Sequence, residues 1–92
     1  TFGLTSQMRR CSISIASILA EGSGRNSYKD KARFSEIAYG SSLELLNQVI
    51  LCHDVEYINE NEYLLVREKI TEVNMLIDGL YKSQIIKANQ PS

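Results

Sequence analysis

Arg9-Arg10-Cys11-Ser12-Ile13-Ser14-Ile15-Ala16-Ser17-Ile18-Leu19-Ala20-Glu21-Gly22-Ser23-Gly24-Arg25, followed after a polar run by Phe34-Ser35-Glu36-Ile37-Ala38-Tyr39-Gly40-Ser41-Ser42-Leu43-Glu44, decides the fold. At 100° per residue, Met8, Cys11, Ile15, Ile18 and Leu19 share one helical face. Ile13, Ala16 and Ala20 form a second, smaller face, and Arg10, Ser14, Ser17 and Glu21 make a narrow polar strip. A surface helix normally carries one apolar stripe. Two faces with many small residues predict contact with more than one neighbour.

Outward from this stretch, the first helix is expected over about residues 5–21, capped by Thr5 or Ser6 and stopped by a left-handed Gly22 or Gly24. Ser27 opens a second helix over about 27–53, with Asp30 in the capping position. Phe34, Ile37, Ala38, Ser41, Leu45, Gln48, Val49 and Cys52 form one of its stripes; Tyr28, Ala32, Tyr39, Leu43, Leu46 and Ile50 form another. Gly40 in mid-helix costs about 1 kcal/mol relative to Ala, which a close helix approach would offset. Residues 54–61 read as a turn anchored by Val55, Tyr57 and Ile58, and Asn59 with Glu62 as a capping box. In the third helix, about 60–86, Tyr63, Val66, Ile70, Val73, Ile77 and Leu80 form a heptad seam. The tail from Lys87 is expected to fray. The chain therefore reads as a single all-α domain over residues 1–92, an up-and-down antiparallel bundle of three helices. Three helices leave apolar stripes uncovered, so Tyr28, Ala32, Tyr39, Leu43, Leu46 and Ile50 are assigned to an interface with an upstream helix or another subunit.

Composition agrees with a soluble bundle. Of the 92 residues, 43% are hydrophobic and 23% charged, and the one proline is Pro91, so nothing interrupts long helices. No apolar run is long enough to span a bilayer. Cys11 and Cys52 each fall in a helical pattern, as expected of free thiols in a cytoplasmic protein. No Cys-x-x-Cys or Cys/His cluster suggests a metal, no cofactor motif occurs, and Gly22-Ser23-Gly24 lacks the strand and the Gly-Lys-Ser/Thr ending of a phosphate loop. His53, the sole histidine, has no catalytic partner visible in the sequence, so no enzymatic role is expected.

Charge is uneven. Residues 1–46 hold six Lys/Arg and four Asp/Glu; residues 47–92 hold four and seven. Arg25, Lys29, Lys31 and Arg33 crowd the first turn, and with Arg9 and Arg10 they form a candidate nucleic-acid-binding set. The simpler alternatives are a solvated surface for the cluster, and ion pairing of Arg9 and Arg10 with Glu21 or Glu44.

The run Leu4-Thr5-Ser6-Gln7-Met8-Arg9-Arg10, then Ser14-Ile15, Ala20-Glu21-Gly22 and Arg25, and further Phe34, Ala38, Gly40-Ser41 and Leu43-Glu44, resembles the signature of a bacterial four-helix-bundle family. That family was first noticed as reading frames in intervening sequences of 23S ribosomal RNA genes; its name describes gene location, not ribosome membership. The likeness implies a first helix upstream of Leu4, missing here, in keeping with the abrupt start at Thr1-Phe2 that reads as a processed or truncated piece. It implies a homopentameric ring, and a relation to an accessory protein of diversity-generating retroelements that binds nucleic acid and a reverse transcriptase. One departure is Ala16-Ser17-Ile18-Leu19, where the family commonly has Pro-Ser-Asn-Ile. Two functions follow as expectations: a non-enzymatic accessory protein that binds RNA or DNA, or a structural module that presents helix faces to a protein partner.

Overall fold

A computed structural model describes residues 2–91 of the chain, apart from the side chains of Phe2 and Leu4. Three helices follow in order, α1 (Phe2–Ser23), α2 (Tyr28–Asp54) and α3 (Glu60–Ala88), with no strand among the described residues. The protein is all-α, a rod of 53 × 18 × 14 Å.

The starts of α2 and α3 follow their capping chemistry. Ser27 is extended and its hydroxyl accepts from Asp30 N–H at 3.1 Å. Asn59 does the same for Glu62 N–H at 2.8 Å while the Glu62 side chain reaches back to Asn59 N–H, a complete capping box. α1 already includes Phe2, so Thr5 and Ser6 lie inside it and do not cap it. The end of α2 is a Schellman motif: Tyr57 N–H bonds Cys52 C=O and Glu56 N–H bonds His53 C=O. Glu56, at φ 60°, holds the left-handed position usually given to glycine. Of the three residues expected to anchor this turn, only Ile58 is buried; Val55 and Tyr57 face solvent. α3 continues through Ala88 to a cap at Asn89, so Lys87 belongs to its last turn.

α2 lies between the other two helices. Gln7 Nε2 donates to Gln48 Oε1 at 3.0 Å across α1 and α2, and Ser35 Oγ donates to Gln84 Oε1 at 2.6 Å across α2 and α3. Both pairings are antiparallel. Among the described residues the backbones of α1 and α3 do not come close, each packing instead on α2. Leu45, Val49, Ile58, Tyr63 and Ile70 form one apolar core; Ile15, Ala38 and Ile77 form another nearer the first turn. Cys11 and Cys52 are free and half-buried against the first core.

Small residues set the closeness of α2 to its neighbours. Ala32, Ser35, Ala38 and Ser42 are almost fully buried along one line of α2. Gly22, expected to end α1 with a left-handed backbone, is instead buried in its last turn, and no glycine has positive φ among the described residues. A Cβ at Gly22 would lie 2.5 Å from Phe34 Cβ, so this glycine permits α1 and α2 to close at the turn. Gly40 has no neighbour within 4 Å of such a Cβ, so no close approach among the described residues offsets its helix cost.

α3 is rotated relative to the expected seam. Tyr63, Ile70 and Ile77 are buried, yet Val73 and Leu80 are 41% and 43% exposed, and Asn74 and Gln84 take buried places. Small Ser35 of α2 leaves room for the Gln84 amide. Gln84 is satisfied by Ser35, whereas Asn74 Oδ1 is buried without a hydrogen-bond partner. An unsatisfied buried acceptor costs about 1–3 kcal/mol. Asn74→Leu is therefore expected to stabilise the chain by about 1 kcal/mol, raising the thermal midpoint by about 4–8 °C at fixed protein concentration. Calorimetry giving an unchanged or lower midpoint would refute this reading of Asn74.

Candidate nucleic-acid interface

Antiparallel packing carries three helix segments to one end of the rod: the last turn of α1, the first turns of α2 and the last turns of α3. This end gathers Arg25, Lys29, Lys31 and Arg33, as the sequence predicts, and adds Lys87. Lys87 lies in the stretch expected to fray, and its place in the last turn of α3 is what brings it here. The signal available was topological: in an up-down-up arrangement the third helix ends where the second begins.

The cations at this end differ in their freedom. Arg25 pairs with Glu21 at 3.3 Å, and its guanidinium lies 4.6 Å from the Phe34 ring centroid. Lys29 and Arg33 stand one turn apart on the outer face of α2, both exposed and without an ion pair among the described residues. Lys31, on the side of α2 towards α3, places its ammonium 4.9 Å from the Tyr28 ring centroid, and Lys87 places its own 5.3 Å from the same ring. Lys82 is engaged by Asp78 at 2.8 Å, and that hydrogen bond and charge raise the Lys82 ammonium above its ordinary pKa. Lys29, Lys31 and Arg33 sit where the α2 dipole disfavours cations; an anion bound there would be favoured by the dipole and by the side chains together.

Arg9 and Arg10 are not part of this end. Both are exposed on α1, about 20 Å of helix before its end. Neither makes the expected ion pair with Glu21 or Glu44; Glu21 is taken by Arg25. The opposite end of the rod is acidic, with Asp54, Glu56, Glu60 and Glu62 around the α2–α3 turn. His53 closes that turn: its Nε2 lies 2.6 Å from Glu60 Oε2, and its ring stacks on Tyr63 with centroids 3.8 Å apart. The molecule is therefore electrically polarised along its length.

The residues assigned to an interface with another helix divide between three environments. Ala32 is buried, and Tyr39, Leu46 and Ile50 are half-buried against the cores the chain itself supplies. Leu43 remains exposed on the outside, and Tyr28 joins the basic end. The larger open apolar surface lies elsewhere. Because the backbones of α1 and α3 stay apart, a groove of about 510 Å³ runs between them over α2, lined by Met8, Ile15, Leu19, Leu45, Leu65 and Val73 among others. Ile18 and Leu19, at the point of departure from the family pattern, pack on the second core, so apolar residues there serve the fold.

Among the described residues there is no cluster of three or more His, Cys, Asp or Glu able to hold a metal, and no helix is long and apolar enough to cross a membrane. Residues 1–79 match the family described as 23S rRNA-intervening sequence protein. The match covers most of the chain, which belongs to that family. No curated protein and no solved structure matches it.

Proposed function

We propose that this member of the 23S rRNA-intervening sequence protein family is a non-enzymatic, ring-forming helical accessory protein of the cytoplasm that binds RNA or DNA through the basic end of its rod. The observation that carries the reading is the convergence of Arg25, Lys29, Lys31, Arg33 and Lys87 from three chain segments, opposite an acidic end. An anionic strand would be steered to the first and repelled by the second. One copy offers about three to five phosphate contacts, which is weak; a ring of copies raises the effective concentration of further sites for the same strand. The relation to retroelement accessory proteins that the family likeness implies points the same way.

The groove between α1 and α3 supports a second reading, a module that seats an amphipathic helix of a protein partner. Anisotropy of labelled RNA and DNA oligonucleotides with the whole chain separates the two. Binding at low salt that weakens as salt rises is expected of the first, and no binding at low salt leaves the second. Light scattering on the same samples should give the mass of several chains; a monomer mass at micromolar concentration would remove the ring.

A further inference from the structure

Tyr28 was assigned by its helical position to an apolar interface, yet it is 42% exposed beneath two ammonium groups. Lys31 and Lys87 come from different helices and converge on this one ring. Neither makes an ion pair with a described residue. Two ammonium groups meet there with no ion-pairing carboxylate among the described residues, over a ring that is partly open to solvent.

Behind them is a hollow of about 240 Å³, lined by Ser23, Tyr28, Lys31, Ser83, Gln84 and Lys87 among others. That is below the roughly 300–1,000 Å³ of pockets for drug-sized ligands, and suits a single base or phosphate. Gln84 is only 8% exposed; its Oε1 accepts from Ser35, and its Nε2 finds no acceptor among the described residues. An amide donor without a protein acceptor is thus left over, open to solvent, at the wall of a hollow flanked by an aromatic ring and two cations.

We infer that Tyr28, Lys31, Lys87 and Gln84 form a seat for one nucleotide of a single strand. The two ammonium groups swing off the ring to neutralise the flanking phosphates, the base takes their place against Tyr28, and Gln84 Nε2 donates to an oxygen of the nucleotide. Stacking on an aromatic side chain is open to an unpaired base and closed to one inside a duplex. This seat rests on the basic-end reading and narrows its ligand to single-stranded nucleic acid.

The test is anisotropy with a labelled 12-nucleotide single strand and the duplex of the same sequence, using the full chain. Tyr28→Ala is expected to weaken single-strand binding by about fivefold or more while leaving duplex affinity and the salt slope unchanged. Tyr28→Phe, which keeps the ring, should bind as wild type. Lys31→Gln/Lys87→Gln should lower the single-strand salt slope by about 1.4. Circular dichroism checks that each variant retains its helices. Wild-type affinity in Tyr28→Ala overturns the seat. If that occurs while Lys29→Glu/Arg33→Glu still loses affinity, the basic-end reading stands without it; if wild type binds neither oligonucleotide at low salt, both fall.

Discussion

Gly22→Val is expected to be the most destabilising single change at the first turn, lowering stability by about 2–3 kcal/mol. The first added carbon alone would sit 2.5 Å from Phe34 Cβ and 3.2 Å from Phe34 Cγ. Phe34 Cβ is fixed to the α2 backbone, so the contact is relieved only by moving one helix from the other. Separating them there disturbs the cation–π contact of Arg25 with Phe34 and the packing around Ala38 and Ile15. Better helix propensity for Val than for Gly returns only about half a kcal/mol. A chain of this length has about 5–14 kcal/mol in all, so the thermal midpoint should fall by about 10–20 °C at fixed protein concentration. Gly24→Val is the matched control. A Cβ at Gly24 meets Glu21 C=O at 3.6 Å, an ordinary contact, and its φ is not positive. A change within about 0.5 kcal/mol is expected there. Equal midpoints for the two variants in a calorimetric comparison would show that α1 and α2 do not close on Gly22.

Charge reversal at the basic end should produce the largest change in binding. Lys29→Glu/Arg33→Glu removes two phosphate contacts, which lowers the salt slope by about 1.4–1.8. At about 50 mM salt this corresponds to roughly hundredfold weaker binding of RNA or DNA. Loss through unfolding is not expected. Both residues are exposed and make no ion pair among the described residues, and glutamates in the first turns of α2 suit its dipole. The variant should melt at or slightly above the wild-type midpoint. Unchanged affinity in the doubly reversed protein would place binding away from this end.

The helices were legible because their signals are local. Spacing of apolar residues gave the three segments, and Ser27 and Asn59 announced the starts of α2 and α3 through side chains that cap in the observed manner. What escaped sequence reasoning depends on neighbours. Glu56 takes a left-handed turn with no glycine to signal it, because the Schellman bonds to Cys52 and His53 hold it there. Gly22 carries a helix-stop signature but serves a helix contact, a distinction visible only once Phe34 is placed against it. The expected seam of α3 runs through Val73 and Leu80 because they are apolar; Asn74 and Gln84 are buried instead, Gln84 against Ser35 of α2. At the basic end, local sequence supplied Arg25, Lys29, Lys31 and Arg33, while Lys87 and the turning of Tyr28 into that end required the antiparallel return of α3. Arg9 and Arg10 resembled the cluster in composition alone, and the length of α1 keeps them apart from it.

The most direct measurement is a salt titration of wild-type binding to a labelled single strand, with the dissociation constant taken at several salt concentrations. With three to five phosphates engaged per chain, log affinity should fall by about 2–3.5 for each tenfold rise in salt, and RNA and DNA of unrelated sequence should give similar lines. No binding at low salt, or binding whose affinity is independent of salt, would contradict nucleic-acid recognition by the basic end.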